Sequence, residues 1–255
     1  MHKLDHDTLT PDVETASDDY ARRFGGPVGT YLLAQQAAAV ARLLSDSDAP
    51  GRRALDVGGG HGQLTSLLLQ LGFDVWVQGS VPSCRRRLLG LMHQHSGRVH
   101  FVTSSLWALP FADRSFDLVL GIRLLAHVER WEALLSEMAR VCRYQLLVEY
   151  PPIGGVNLFD RWLFPLKRKI ETDTRPYFSY SSRQVRAALR ELGFERFSVE
   201  RQFFLPMVIH RTLKRPSLSR HLEAGTRWLG LTQMLGAPVI LVAERASGEP
   251  ARRAA

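Results

Sequence analysis

The chain has 255 residues, 45% hydrophobic and 23% charged, enough to fill one large α/β domain and too long for a disulfide-stapled mini-protein. Its two cysteines, Cys84 and Cys142, lack the CxxC spacing or His/Cys clustering of a metal site, so no metal is expected and both are expected to be reduced thiols in a cytoplasmic protein. The net charge of +8 is unevenly placed.

Residues 1–20 set Lys3 against Asp5, Asp7, Asp12, Glu14, Asp18 and Asp19 and hold no apolar segment, so no secretory signal is expected in them. Residues 201–237 set Arg201, Arg211, Lys214, Arg215, Arg220 and Arg227 against Glu223 alone. Of the 33 basic residues 29 are arginine, a bias that favours a solvated basic face over nucleic-acid binding. An anionic small substrate or the anionic inner face of a membrane remain as partners. No run approaches the roughly 18 apolar residues of a transmembrane helix.

In chain order, acidic residues 1–17 read as a loose tail, and residues 1–30 together as a tail and lid segment. Leu32, Leu33, Gln36, Val40 and Leu43 recur at helical spacing and predict a helix from Tyr31 to Leu44, ended by the turn chemistry of SDSDAPGR. The apolar run Ala54–Val57 meets Gly58-Gly59-Gly60-His61-Gly62, and a helix follows from Gln63 to Gln70. Further strands are predicted at 73–77, 99–102, 116–120 and 145–149, with helices at 82–93 and 131–141. Strands that alternate with helices and are apolar on both faces argue for a mostly parallel sheet covered on both sides. After Pro151-Pro152 the rhythm breaks until about residue 180. A helix over 182–192 and a strand over 194–204 follow, then a helical interruption over 205–237. The strand 239–242 closes the domain, and 246–255 read as a disordered tail.

The glycine turn carries the chemistry. Glycines between a strand and a helix let backbone approach a ligand, and the helix behind them presents unpaired N–H groups. Ligands of such sheets lie at the carboxyl ends of the strands. DVGGGHGQLT, then LPFADRSFDLVLG, then LLAHVERWEALLSEMARV together resemble class I S-adenosylmethionine-dependent methyltransferases, nearest in style to the small-molecule enzymes of the quinone-biosynthesis type. The resemblance implies a Rossmann-like seven-stranded sheet with helices on both faces and an antiparallel last strand, here with helical insertions at 151–180 and 205–237. It implies S-adenosylmethionine as cofactor, with Asp56 orienting the loop and Gly58, Gly60 and Gly62 lining the methionine part.

Two positions depart from the family. Its usual acid at the end of the second strand is Gly79 here, between Gln78 and Ser80. Its usual acid before the LPF stretch is Ser105, followed by Leu106. Gln78, Ser80 and Ser105 can accept hydrogen bonds, but without charge they do so more weakly. Two rivals follow. An NADP-dependent oxidoreductase would use Arg85-Arg86-Arg87, yet G-x-G-x-x-G fails at Gln63 and at Thr65. A degenerate, non-catalytic fold would act as a binding module.

Methyl transfer needs chiefly an in-line approach, with a general base for a hydroxyl acceptor. His127, after the fourth strand, is the candidate base and tilts the reading towards O-methylation. Tyr20, Phe24 and Tyr31 are candidate lid aromatics. Glu149 and Tyr150, ending the fifth strand, and His210 are candidates for the substrate side. The paired apolar and basic runs near 157–169 and 203–215 suit an apolar, lipid-like or anionic small-molecule substrate.

Overall fold

The computed structural model describes residues 12–13, 22, 24–45, 52–59, 62–154 and 178–246. Tyr20, Gly60, His61, most of the first insertion and the chain's last residues lie outside them. Seven strands form one sheet: β1 Arg53–Val57, β2 Asp74–Gly79, β3 Val99–Thr103, β4 Phe116–Gly121, β5 Cys142–Tyr150, β6 Arg196–Phe203 and β7 Ala237–Glu244. Their order is β3-β2-β1-β4-β5-β7-β6. The pairs from β3 through β5 are parallel, whereas β7 runs antiparallel to both its neighbours, β5 and β6. The last strand is thus antiparallel, as the resemblance implied; it is inserted between β5 and β6, and β6 forms the sheet edge.

Alternation of side chains across the pleat builds two cores. Leu55, Val57, Val119, Leu146, Val148 and Leu241 face one side, with Leu134 and Met138 of α4 (Trp131–Val141) and Val185 and Leu189 of α5 (Ser182–Glu191). Ala54, Val75, Val77, Leu118, Leu120, Leu147 and Val242 face the other, with Val40 and Leu43 of α1 (Gly26–Ser45) and Leu68 of α2 (Thr65–Gln70). Leu55, Val77 and Leu118 are wholly buried, each stabilising the fold by about 1.5–3 kcal/mol. Ser181 caps α5 in a capping box with Gln184, satisfying N–H groups the helix leaves open.

Some bounds differ from the sequence expectation. Helix α1 begins at Gly26 instead of Tyr31, taking in the end of the segment read as tail and lid, because Pro27 has no N–H to lose in a first turn. The helix expected over 82–93 is a 3₁₀ segment, Pro82–Leu88, followed by α3, Leu89–Gln94. The second insertion is three helices: α6 Met207–Leu213, α7 Pro216–Trp228 and α8 Leu231–Leu235.

Candidate functional site

From β1 the chain moves outward to β2 and β3, then returns to β4 on the other flank of β1. The carboxyl end of β1 is therefore the topological switch point, where open α/β sheets bind their ligands. The glycine turn sits there. Gly58 and Gly62 hold φ of 68° and 60°, which L side chains avoid. A Cβ at Gly58 would lie 3.1 Å from Leu124, and one at Gly62 would lie 2.5 Å from Leu88. At Gly59 it would strike the Asp56 carboxylate. Asp56 is buried beneath this turn, and desolvation raises its pKa to about 7.

Gln78 is wholly buried and acts as a strut. Its Oε1 accepts from the Gly58 N–H at 3.0 Å and its Nε2 donates to the Ser104 carbonyl at 2.7 Å. The expected free acceptor is thus committed to fixing the turn. Gly79 has no room for a side chain, since a Cβ would lie 2.7 Å from Cys84 Cβ and 2.9 Å from the Phe101 ring. A carboxylate nevertheless stands at this strand end. Asp12, fully buried, accepts from Ser80 N–H at 2.6 Å and from Ser80 Oγ–H at 2.7 Å. Its Cβ would lie 3.4 Å from a Cβ at Gly58. The N-terminal acidic stretch, read as a loose tail, thereby contributes a charged acceptor to the switch point.

Ser105 is exposed and accepts from the Trp107 N–H at 3.1 Å, so its hydroxyl belongs to a local turn. Leu106 is wholly buried in the main core, facing away from solvent. His127 ends a single turn of 3₁₀ helix, Leu125–His127, just past β4 and three residues beyond Leu124, which packs near Gly58. It is partly buried.

The three substrate-side residues expected from sequence take internal positions instead. Glu149 is buried and accepts from Gln36 Nε2 at 2.9 Å to both oxygens, from Gln202 Nε2 at 2.6 Å and from the Arg123 N–H at 3.1 Å. Burial raises its pKa, with Arg123 opposing. Gln63 and Arg123 in turn donate to Gln36 Oε1, and the Arg123 guanidinium lies 3.8 Å over the Phe24 ring. Tyr150 is wholly buried, donating to Ser182 Oγ at 2.9 Å. His210 is wholly buried between the Tyr31 and Phe203 rings, with Nε2 3.1 Å from Glu223 Oε1. Glu149 and His210 are expected on the substrate side because the sequence does not show their cover, which comes from distant elements, α1 and β6 for Glu149 and α7 for His210.

A groove of about 510 Å³ lies elsewhere, at the β6 edge, lined among others by Arg186, Glu200, Arg201 and Arg227. It is four strands from β1 and is not the switch-point site. Among the described residues no group of His, Cys, Asp and Glu could hold a metal ion.

Residues 55–145 match the methyltransferase domain family. A fatty-acid O-methyltransferase of Mycolicibacterium smegmatis is 35% identical over 129 residues, covering 47% of this chain and 44% of that protein. The ubiquinone/menaquinone biosynthesis C-methyltransferase UbiE of Ectopseudomonas mendocina is 28% identical over 190 residues, covering 65% of this chain and 73% of that protein. The fold is that of magnesium protoporphyrin IX methyltransferase from Synechocystis PCC 6803, solved with bound SAH, at a TM-score of 0.61 and 18% identity over 94% of this chain and 97% of that one. Residues 55–145 thus match a methyltransferase domain, set in the fold of solved methyltransferases. The chain matches less than half the length of the fatty-acid enzyme. The matched segment of this methyltransferase domain runs from β1 into β5 and so contains the glycine turn, Gln78, Gly79, Ser80, Ser105 and His127, but not Asp12 or the second insertion. The dinucleotide rival loses its ground here, since the motif match and the fold both point to the methyltransferase domain.

Proposed function

We propose that this domain transfers a methyl group from S-adenosylmethionine to the oxygen of a small apolar or lipid-like acceptor. The observation that carries the reading is the switch point itself: side-chain-free backbone at Gly58 and Gly62 beside the Asp12–Ser80 pair. These residues suit an adenosyl cofactor. The bare turn admits the ligand close to the backbone, and Asp12 supplies a charged acceptor for ribose hydroxyls where β2 ends without one. When bound, S-adenosylmethionine supplies an electrophilic methyl group. The chain's own work is then to orient the acceptor, exclude water and accept its proton. His127 Nε2 or Nδ1 is assigned that proton, on its position past β4.

An oxygen acceptor on an apolar molecule is supported by similarity to the fatty-acid O-methyltransferase and to an O-methyltransferase of Aspergillus nomiae. The test is titration calorimetry with S-adenosylmethionine, S-adenosylhomocysteine and NADPH, followed by labelled methyl transfer to fatty acids and phenols. Micromolar heat with both adenosyl compounds and label on a carboxylate or phenol oxygen is expected. Silence with both adenosyl compounds from folded protein would make the fold a binding module, and heat with NADPH alone would revive the oxidoreductase. His127→Ala is expected to lower turnover and remove the fall in activity on the acidic limb of the pH profile, where a base would be protonated, while leaving S-adenosylhomocysteine affinity intact; an unchanged pH profile refutes the base role.

A further inference from the structure

We propose that the outer face of α7 and α8 docks on an anionic lipid bilayer, an inference that goes beyond methyl transfer and does not depend on it. Helix α7 is turned inside out. It buries Ser219 and Glu223 and leaves Leu218 and Leu222 exposed, and α8 likewise buries Thr232 and exposes Met234 and Leu235. In water an amphipathic helix does the reverse. Leu218, Leu222, Gly225 and Leu229 follow the i, i+4, i+7, i+11 spacing of one helical stripe. Trp228 stands beside it at 86% exposure, with Leu229 at 62% and Met234 at 72%.

Exposed apolar residues are ordinary when scattered. Here the exposed large hydrophobics among the described residues concentrate between 218 and 235, leaving only Leu89 and Ile153 elsewhere. The inversion is anchored from within. Glu223 accepts from the Phe204 and Leu205 N–H groups at 2.9 Å each and pairs with His210, so the polar side of α7 is fastened to the end of β6 and its leucines have nowhere to turn.

Charge selects the occupant. Lys214 and Arg215 are exposed at the start of α7 beside the stripe, Arg220 lies on the helix side away from it over the Tyr31 ring, and the one carboxylate between 205 and 236, Glu223, is buried. Two copies of this face would bring like charges together, whereas an anionic bilayer complements them. A tryptophan at the edge of an apolar stripe with flanking basic residues is the chemistry of the lipid–water interface. Because β6 runs parallel to β1 in the sheet, the α6–α8 insertion that follows β6 emerges at the carboxyl ends, the same end as the glycine turn. A molecule leaving the bilayer would reach the sheet on its ligand-binding side.

The full chain is mixed with phosphatidylcholine vesicles with or without phosphatidylglycerol and sedimented. Binding about tenfold stronger to the anionic vesicles is expected, weakening with salt as screening demands. A blue shift in tryptophan emission that Trp228→Phe abolishes is expected with it. The variant carrying Trp228→Ser, Leu229→Ser and Met234→Ser should keep its melting temperature, since all three side chains are exposed, and lose about tenfold in partitioning. Failure of the wild-type chain to bind anionic vesicles overturns the proposal. So does unchanged partitioning of the triple variant, or a dimer in light scattering that the triple variant returns to monomer.

Discussion

At the scale of single residues, the switch point turns on a carboxylate that travels far along the chain. Asp12 and Ser80 are 68 positions apart, yet their two hydrogen bonds are short. Charge-assisted bonds to a buried carboxylate are the stronger kind. Asp12→Asn keeps the shape and removes the charge, and its amide nitrogen cannot accept from Ser80. Affinity for S-adenosylhomocysteine by calorimetry is expected to fall about tenfold, roughly 1.4 kcal/mol; unchanged or tighter binding would mean that Asp12 only occupies the site. The converse experiment restores an acid to the strand itself. Gly79→Asp must push against Cys84 and Phe101, and overpacking of this kind costs about 1–3 kcal/mol. The variant should melt lower than wild type without binding S-adenosylhomocysteine more tightly, and a gain in affinity at unchanged stability would show that the strand end has room after all. Nothing local in the sequence marks Asp12. An acid in a polar stretch looks the same whether solvated or carried across the molecule, so the site reads from sequence as deprived of charge.

At the scale of elements, what could be read was what burial imposes locally. Ala54–Val57 and Phe116–Leu120 announce strands because both faces of an interior parallel strand are apolar, and both are strands. Bounds went wrong where polar or permissive residues are buried for tertiary reasons. β2 continues through Gln78 and Gly79 because the Gln78 amide is satisfied by Gly58 and Ser104, neither of them near in sequence. Glu149 was legible as a strand end but not as the centre of a hydrogen-bond cluster, since Gln36 and Gln202 reach it from elements 113 and 53 residues away. The second insertion shows the same dependence on one remote group. Glu223→Ala leaves the Phe204 and Leu205 N–H groups and His210 without their acceptor. Unpaired buried donors cost about 1–3 kcal/mol each, so a loss of about 3 kcal/mol is expected. The melting temperature would drop by roughly 6–12 °C for a chain this size. A drop of only a degree or two would show that α7 is held to β6 by packing and not by this carboxylate.

For the molecule as a whole, the buried carboxylates at the carboxyl end of the sheet tie global stability to pH. Desolvation raises Asp56 to about 7, and Glu149 moves in the same direction from the same cause. In the unfolded chain both would titrate near the ordinary carboxylate range of about 4. Between those values the folded protein keeps a proton on Asp56 that the unfolded chain has released, so the folded state binds more protons and stability falls as pH rises. The contribution is fully present below about pH 4 and is lost progressively up to about pH 7, at most about 1.4 kcal/mol per pH unit for each group. Carboxylates lowered by an ion pair, such as Glu137 beside Arg140 at 2.8 Å, act in the opposite sense, but they are common to wild type and variant. The difference in unfolding free energy between wild type and Asp56→Asn therefore isolates the buried group. Measured by denaturant titration from pH 4 to 8, that difference should move against the wild type by on the order of 4 kcal/mol across the window. A flat difference would place the Asp56 carboxyl in contact with water, and with it the floor of the glycine turn.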